Sequence, residues 1–279
     1  MPEREEHPRF MYTRDRMERN LVVGNIAEAY FRYWFESRYP DSHVVLSQFG
    51  YNPRGIISEQ TKALKLKRNP NSPDFALFER DYLGTERERP LLGISINSQK
   101  DFYSMEQART PKLCYRCKRR DACYEGKVQN IWHNFYNIDN DYKLFYKWFK
   151  ADVILVTLIS KSIAYLFQKF QKIPQWQEGI YQFIKSGREA LKSDVVRDAM
   201  HYLLFQRGKN RSRQFALYWI LYSDILEGKV PYSLAGAPVS RGQPRPVACI
   251  DSTYYHNETD LEAFLQEKFG LVPTSISLF

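Results

Sequence analysis

Residues 151 to 160 read ADVILVTLIS, an almost unbroken aliphatic and β-branched run. Such a run reads as a strand buried in the core. The segment before it, DNDYKLFYKWFK (139 to 150), has helical periodicity. A strand entered from a helical crossover implies a sheet that is at least partly parallel, so the chain is expected to be an α/β protein.

The stretches upstream supply the other layers. Residues 14 to 38 are expected to form one long helix, because Val23, Ile26, Ala27, Tyr30 and Trp34 recur at spacings of three and four. HVVLSQFGY (43 to 51), DFALFER (74 to 80) and PLLGISINS (90 to 98) read as strands, and the charged loop DYLGTERER joins the last two. Residues 53 to 72 are basic and end in turn formers, which suits a surface excursion. KDFYSMEQAR (100 to 109) turns helical until Pro111 breaks it. Beyond residue 172 the pattern is mainly helical, in PQWQEGIYQFIKSG and REALKSDVVRDAMHYLLFQRG. RQFALYWILYSDI (213 to 225) is apolar enough for a buried helix or a strand, and periodicity does not decide between them. A proline-rich loop then leads into a possible strand at PVACIDS, and ETDLEAFLQEKFG ends as a helix stopped by Gly270. Two regions follow: 1–168, a core with a cysteine-rich insert at about 110–135, and 169–279, a mostly helical C-terminal region packed on it.

The formal charge is +9, from 41 basic and 32 acidic residues, and 15% of the chain is aromatic. That balance favours a polyanionic partner: nucleic acid before a membrane surface. No stretch approaches ~20 uninterrupted apolar residues. The start MPEREEHPRF lacks a signal peptide's apolar segment, so a cytoplasmic location without membrane contact is expected.

Two acids stand out. Asp74 opens a strand directly after Ser72 and Pro73, and the proline fixes the angle at which the chain enters. Glu28 follows Gly24 by one turn and shares a flank with Phe31 and Phe35, a poor setting for plain solvation. The order of these elements resembles the PD-(D/E)XK nuclease superfamily: a helix carrying a glutamate, Pro-Asp opening a strand, a further strand, then a helix and a strand. The resemblance spans residues 14 to 160 and implies a restriction-endonuclease-like mixed-sheet core of order α-β-β-β-α-β. It also implies Mg²⁺ or Mn²⁺ held by Glu28 and Asp74. Where that family carries acid-x-lysine, this chain has Ser95-Ile96-Asn97. Some members place a serine there and bring the acid from the next helix. In that pattern Glu106 replaces the acid, Lys100 replaces the lysine, and Ser95, Asn97 and Gln99 line the site.

Three of the four cysteines, Cys114, Cys117 and Cys123, fall within ten residues in the spacing C-x2-C-x5-C, among Lys112, Arg116, Lys118, Arg119 and Arg120. Neighbouring cations favour the ligating thiolates, so a bound metal is expected. Cys249 is the fourth thiol and the preferred closing ligand, with His133 as the alternative. The spacing is similar to that of iron-sulfur-bearing RecB-like exonucleases. A 4Fe-4S cluster and Zn²⁺ both suit the ligands.

The expected function is Mg²⁺-dependent DNA cleavage in defence, repair or mobile-element processing, with RNA a second substrate and protein partners in a nucleoprotein complex. The rival is a catalytically inactive nucleic-acid-binding subunit. A metal-stapled interaction protein is a third reading.

Overall fold

The computed structural model describes residues 14–48, 73–83, 85, 90–100, 130–134, 153–160, 170, 172–205, 215–236 and 246–274, some of them by backbone alone. Helix α1 (Arg14–Arg38) is followed by strands β1 (Val44–Gln48), β2 (Phe75–Glu79), β3 (Pro90–Lys100), β4 (Asn130–Asn134) and β5 (Val153–Ser160). Helices α2 (Pro174–Ser186) and α3 (Asp194–Leu204) come next, then β6 (Phe215–Leu221) and α4 (Tyr222–Leu226). Strands β7 (Tyr232–Gly236), β8 (Pro246–Asp251) and β9 (His256–Asn257) precede α5 (Glu258–Phe269). The chain is therefore mixed α/β.

Six strands form one sheet in the order β1-β2-β3-β5-β6-β9. The first three are an antiparallel meander, β3 and β5 run parallel, and β6 and β9 return antiparallel. The parallel pair is the one that ADVILVTLIS predicts, with Ile94 opposite Ile154 and Ile96 opposite Val156. The ambiguous run at 213–225 resolves into both alternatives in succession: a strand to Leu221, then a short helix. A second sheet has the order β4-β8-β7. The C-terminal region thus carries four strands besides its helices, where a mostly helical segment is expected from its periodicity. Two of those strands extend the large sheet, because a strand as apolar as β6 is buried best against β5. The surface excursion at 53–72, the helices expected at 100–109 and 139–150, and the cysteine segment lie outside the described residues. Among the described residues no helix is long and apolar enough to cross a membrane.

The core lies between the large sheet and its helices. Phe75, Leu77, Leu92 and Ile94 of β2 and β3 are fully buried, together with Ile26, Phe31 and Trp34 of α1 and Phe183 and Ile184 of α2. Phe31 bridges the layers, stacking near Trp34 and reaching Phe75 at 6.2 Å between ring centroids. Because α1 has the sheet on one side and α2 on another, its apolar residues surround much of its circumference. A helix covered on two sides does not need a single polar face.

Arg32 holds this arrangement together and is only 6% exposed. Its guanidinium donates to Glu36 Oε1 at 2.8 Å, to the Ile184 carbonyl at 2.6 Å and to the Leu46 carbonyl at 3.2 Å. One side chain thereby ties α1 to the end of α2 and to β1. Gly187, just past α2, has φ +58° and sits so close that a Cβ there would lie 2.0 Å from Glu36 Oε1. Only glycine tolerates both that backbone and that approach.

The chain's end is clamped to α1 by a second polar set. Asn257 caps α5 through a reciprocal pair of bonds with Asp260, and Gly270 ends it in the left-handed conformation, as its position predicts. Glu258 on that first turn accepts from Trp34 Nε1 at 2.9 Å and from Arg38, and Glu262 accepts from Arg38 Nε at 2.5 Å.

Candidate functional site

Phe75 of β2 pairs with Ile94 of β3, so one further step along the ladder brings Asp74 alongside Ser95. The Asp74 carboxylate is anchored there, Oδ2 accepting the Ile96 backbone N–H at 2.6 Å. Proline at 73 restricts the backbone just before the aspartate, which meets β3, the strand between β2 and β5. Glu28 arrives from α1, which packs against β3. Two acids separated by 46 positions in sequence therefore face one another.

Their electrostatics carry the mark of that meeting. Burial, followed by the negative charge of Asp74, pushes the Glu28 carboxyl well above the ordinary range. Burial raises Asp74 to about 6, against the lowering effect of its bonds with the Ile96 and Asp74 backbone N–H groups. Both residues are half-buried rather than fully enclosed. Like charges in a desolvated cleft are unfavourable until a cation joins them.

Ser95, buried at 5% exposed, lies opposite Asp74 along the ladder, and Asn97, half-buried, follows two residues along β3. Among the described residues the donor set is thus all oxygen, with no sulfur or imidazole. It fits a hard divalent cation such as Mg²⁺ or Mn²⁺, which uses one or two carboxylates and completes its shell with water and phosphate oxygens. Among the described residues no group of three or more His, Cys, Asp or Glu gathers at one point.

The remaining expected site residues divide in two. Lys100 and Gln99 are described by backbone, at the end of β3 opposite Ser160 and Ile159 of β5. Glu106, Cys114, Cys117 and Cys123 lie outside the described residues. Cys249 and His133 are described by backbone in the small sheet, where Cys249 pairs with Trp132 and Ser233, and His133 with Ala248. The strand that begins seven residues after Cys123 is thus hydrogen-bonded to the strand that carries Cys249.

One group near the acids carries no signal in the sequence. Tyr181 of α2 has a buried hydroxyl with no hydrogen-bond partner among the described residues. Its phenol is pushed up by burial, by Glu178 and by Glu28. Within PQWQEGIYQFIKSG it looks like one more half-apolar residue of an amphipathic helix.

A pH dependence follows from the acid pair. Both folded-state values are raised, so the pair's favourable share of stability is complete below the unfolded values near 4. The share of Asp74 is lost as pH climbs through about 6, and that of Glu28 changes in the same direction. A cation must displace the same protons. Mn²⁺ affinity measured calorimetrically is therefore expected to rise at least about tenfold between pH 5 and 7.5, with proton release on binding. A flat profile would contradict the assignment of these acids as ligands.

Comparison with family models, with curated proteins and with solved structures returned no match to this chain.

Proposed function

We propose that this chain is a metal-dependent phosphodiester hydrolase of PD-(D/E)XK type that cuts nucleic acid, DNA before RNA. The carboxylate pair Glu28–Asp74, half-buried and raised in pKa at the middle of a mixed sheet, is the observation that carries the reading. The order of elements supports it: a helix with the glutamate, an antiparallel β1-β2-β3 meander with the aspartate at the start of β2, and a parallel β5 beside β3. A divalent cation bound there supplies charge neutralisation and an activated water for attack on the phosphodiester. Glu28 and Asp74 hold it, Ser95 and Asn97 orient the surrounding water, and Lys100 with Glu106 completes the set. The net charge of +9 provides the attraction for the phosphate backbone.

The cysteine centre serves as a staple in this reading. Cys114, Cys117 and Cys123 with Cys249 hold an iron-sulfur cluster or Zn²⁺, and the pairing of β4 with β8 supports Cys249 as the closing ligand. A second reading, a catalytically silent nucleic-acid-binding subunit, draws on one observation: β3 offers Ser95 and Asn97, both uncharged, beside the acids.

Cleavage of end-labelled single-stranded and double-stranded DNA and of RNA, with Mg²⁺, Mn²⁺ or EDTA, separates the two. Metal-dependent cutting abolished by EDTA is the expected result. Binding that falls steeply with salt, with no cutting under any metal, would instead establish the silent subunit.

A further inference from the structure

The exposed turn between α1 and β1, Pro40-Asp41-Ser42-His43, is gripped by arginines from two other elements. Arg80, directly after β2, donates Nε and Nη2 to the Ser42 carbonyl at 3.2 and 3.1 Å, and its backbone N–H donates to the His43 carbonyl at 2.7 Å. Arg188, just past Gly187 at the end of α2, donates Nη1 to the Pro40 carbonyl at 3.2 Å, while its backbone N–H donates to Glu36 Oε2 at 2.8 Å. The two carbonyls belong to residues two apart, whose Cα atoms lie at most ~7 Å from one another. Segments far apart in sequence thus bring two guanidiniums to one turn.

Their ionic surroundings set them apart from the other exposed cations. Lys192 sits on Glu189, Arg197 on Asp194, Lys229 on Asp224 and Glu227, and Lys268 on Glu267. Arg80 and Arg188 are also exposed, yet among the described residues neither forms an ion pair, and their side chains donate only to uncharged carbonyls. Asp41, exposed within the turn itself, pairs with neither of them among the described residues. Lys185, exposed three residues before Arg188, likewise has no ion pair among the described residues.

A carbonyl occupies one or two of a guanidinium's five donors and cancels none of its charge. Arg80 keeps its Nη1 group, and Arg188 its Nε and Nη2 groups, for an acceptor from outside. The carbonyl bonds meanwhile hold each long side chain in place, so less rotamer freedom is lost when an anion arrives. A planar fork with free donors matches phosphate oxygens. Braced forks suit a polyanion of fixed phosphate spacing better than a fluid lipid surface, which requires no such bracing.

Asp74 immediately precedes β2 and Arg80 immediately follows it, which separates them by roughly 20 Å at ~3.3 Å per residue. The turn therefore stands apart from the acid pair. Along a duplex, roughly 20 Å is about six base pairs. We infer that this turn is a phosphate-backbone contact surface, where Arg80 and Arg188, with Lys185 beside them, hold nucleic acid about six base pairs from the acids. Such contacts fix the position of the polymer and read no sequence. The inference rests on the proposed action on nucleic acid and names a place where the polymer is gripped away from Glu28 and Asp74.

The test is the binding of labelled duplex DNA, followed by fluorescence anisotropy in EDTA across about 50–200 mM salt, beside the cleavage assay with Mn²⁺. The double variant Arg80→Gln, Arg188→Gln is expected to bind about tenfold more weakly or worse, with a plot of log K against log salt shallower by about two. Its melting temperature should stay near that of wild type, because both side chains are exposed. Arg80→Lys, Arg188→Lys should keep the salt slope. Asp41→Asn should bind more tightly, since it removes a repelling charge from the turn. The double variant Lys192→Gln, Arg197→Gln changes the net charge equally but removes cations that already have acids, so its slope should change much less. Should the first variant fail to fold, each single glutamine variant carries the same test with a slope change of about one. Equal losses in the two double glutamine variants would show that only net charge counts and would overturn the surface. Wild-type affinity and slope in Arg80→Gln, Arg188→Gln would overturn it too, while leaving metal-dependent cutting to stand on its own assay. The expected loss of binding in a wild-type background that never cuts would uphold the surface and discard the hydrolase. A wild-type protein that binds phosphatidylserine vesicles and no nucleic acid would sink both.

Discussion

Asp74→Asn is expected to lower metal-dependent cleavage on the order of 10²–10³-fold or more while making the metal-free protein sturdier at pH 8. The substitution is nearly isosteric, and the amide oxygen still accepts the Ile96 N–H that anchors the side chain. What disappears is one negative charge of a desolvated like-charged pair. With it go a ligand for the cation and the repulsion that raises Glu28. At pH 8 Asp74, raised to about 6, is ionised in wild type at a cost that burial imposes, so the metal-free melting temperature of the variant should be higher by about 2–4 °C, the equivalent of ~1 kcal/mol in a chain of this size. At pH 4.5 the wild-type acids are largely protonated and the advantage should vanish. Thermal scans in EDTA at the two pH values, beside a cleavage assay, check both halves. A variant that cuts as well as wild type, or loses stability at pH 8, would show that Asp74 serves the fold rather than the chemistry. Gain in stability with loss of activity is the expected signature of a site kept unfavourable for function.

The acid pair was legible because each member breaks a local pattern. Asp74 follows a proline at the mouth of an apolar strand, and Glu28 interrupts a run of aromatics and aliphatics on one helical flank. Their convergence also follows from the order of elements, since a helix and a meander that bury apolar faces against each other have few ways to pack. The sheet's parallel step was legible for the same reason: β5 is too apolar to stand at an exposed edge. What escaped was decided by tertiary contact. β7, the stretch YSLAG, has little strand propensity and exists as the partner of β8. β9 is two residues long and forms where Trp219 meets His256. The run at 213–225 held two elements because nothing in its apolar periodicity marks Leu221 as the boundary. Arg32 was invisible because its role depends on how two helices more than 130 residues apart lie against one another, which no local pattern encodes.

The contacts between α1, α2 and β1 make Arg32→Ala a strongly destabilising change. The guanidinium is 6% exposed and serves three elements at once, through Glu36, the carbonyls of Ile184 and Leu46, and a longer contact of 3.4 Å to the Lys185 carbonyl. Removing it strands a largely buried carboxylate and several buried carbonyls, a loss of about 3–5 kcal/mol. Arg38 provides the internal comparison. It also bonds two glutamates, but it is about a quarter exposed, and its loss should cost only about 1 kcal/mol. Urea unfolding curves of equal slope would give the two differences directly. Arg32→Lys should recover little, because an ammonium on a flexible stem does not span a carboxylate and carbonyls on separate elements. Should Arg32→Ala prove as mild as Arg38→Ala, the α1–α2 register must be set by Phe183, Ile184 and their apolar neighbours alone. If it is as severe as expected, Mn²⁺ affinity should fall in whatever fraction stays folded. Glu28 sits one turn before Arg32 on α1, so the contacts that fix Arg32 against α2 and β1 also hold the helix that carries the acid.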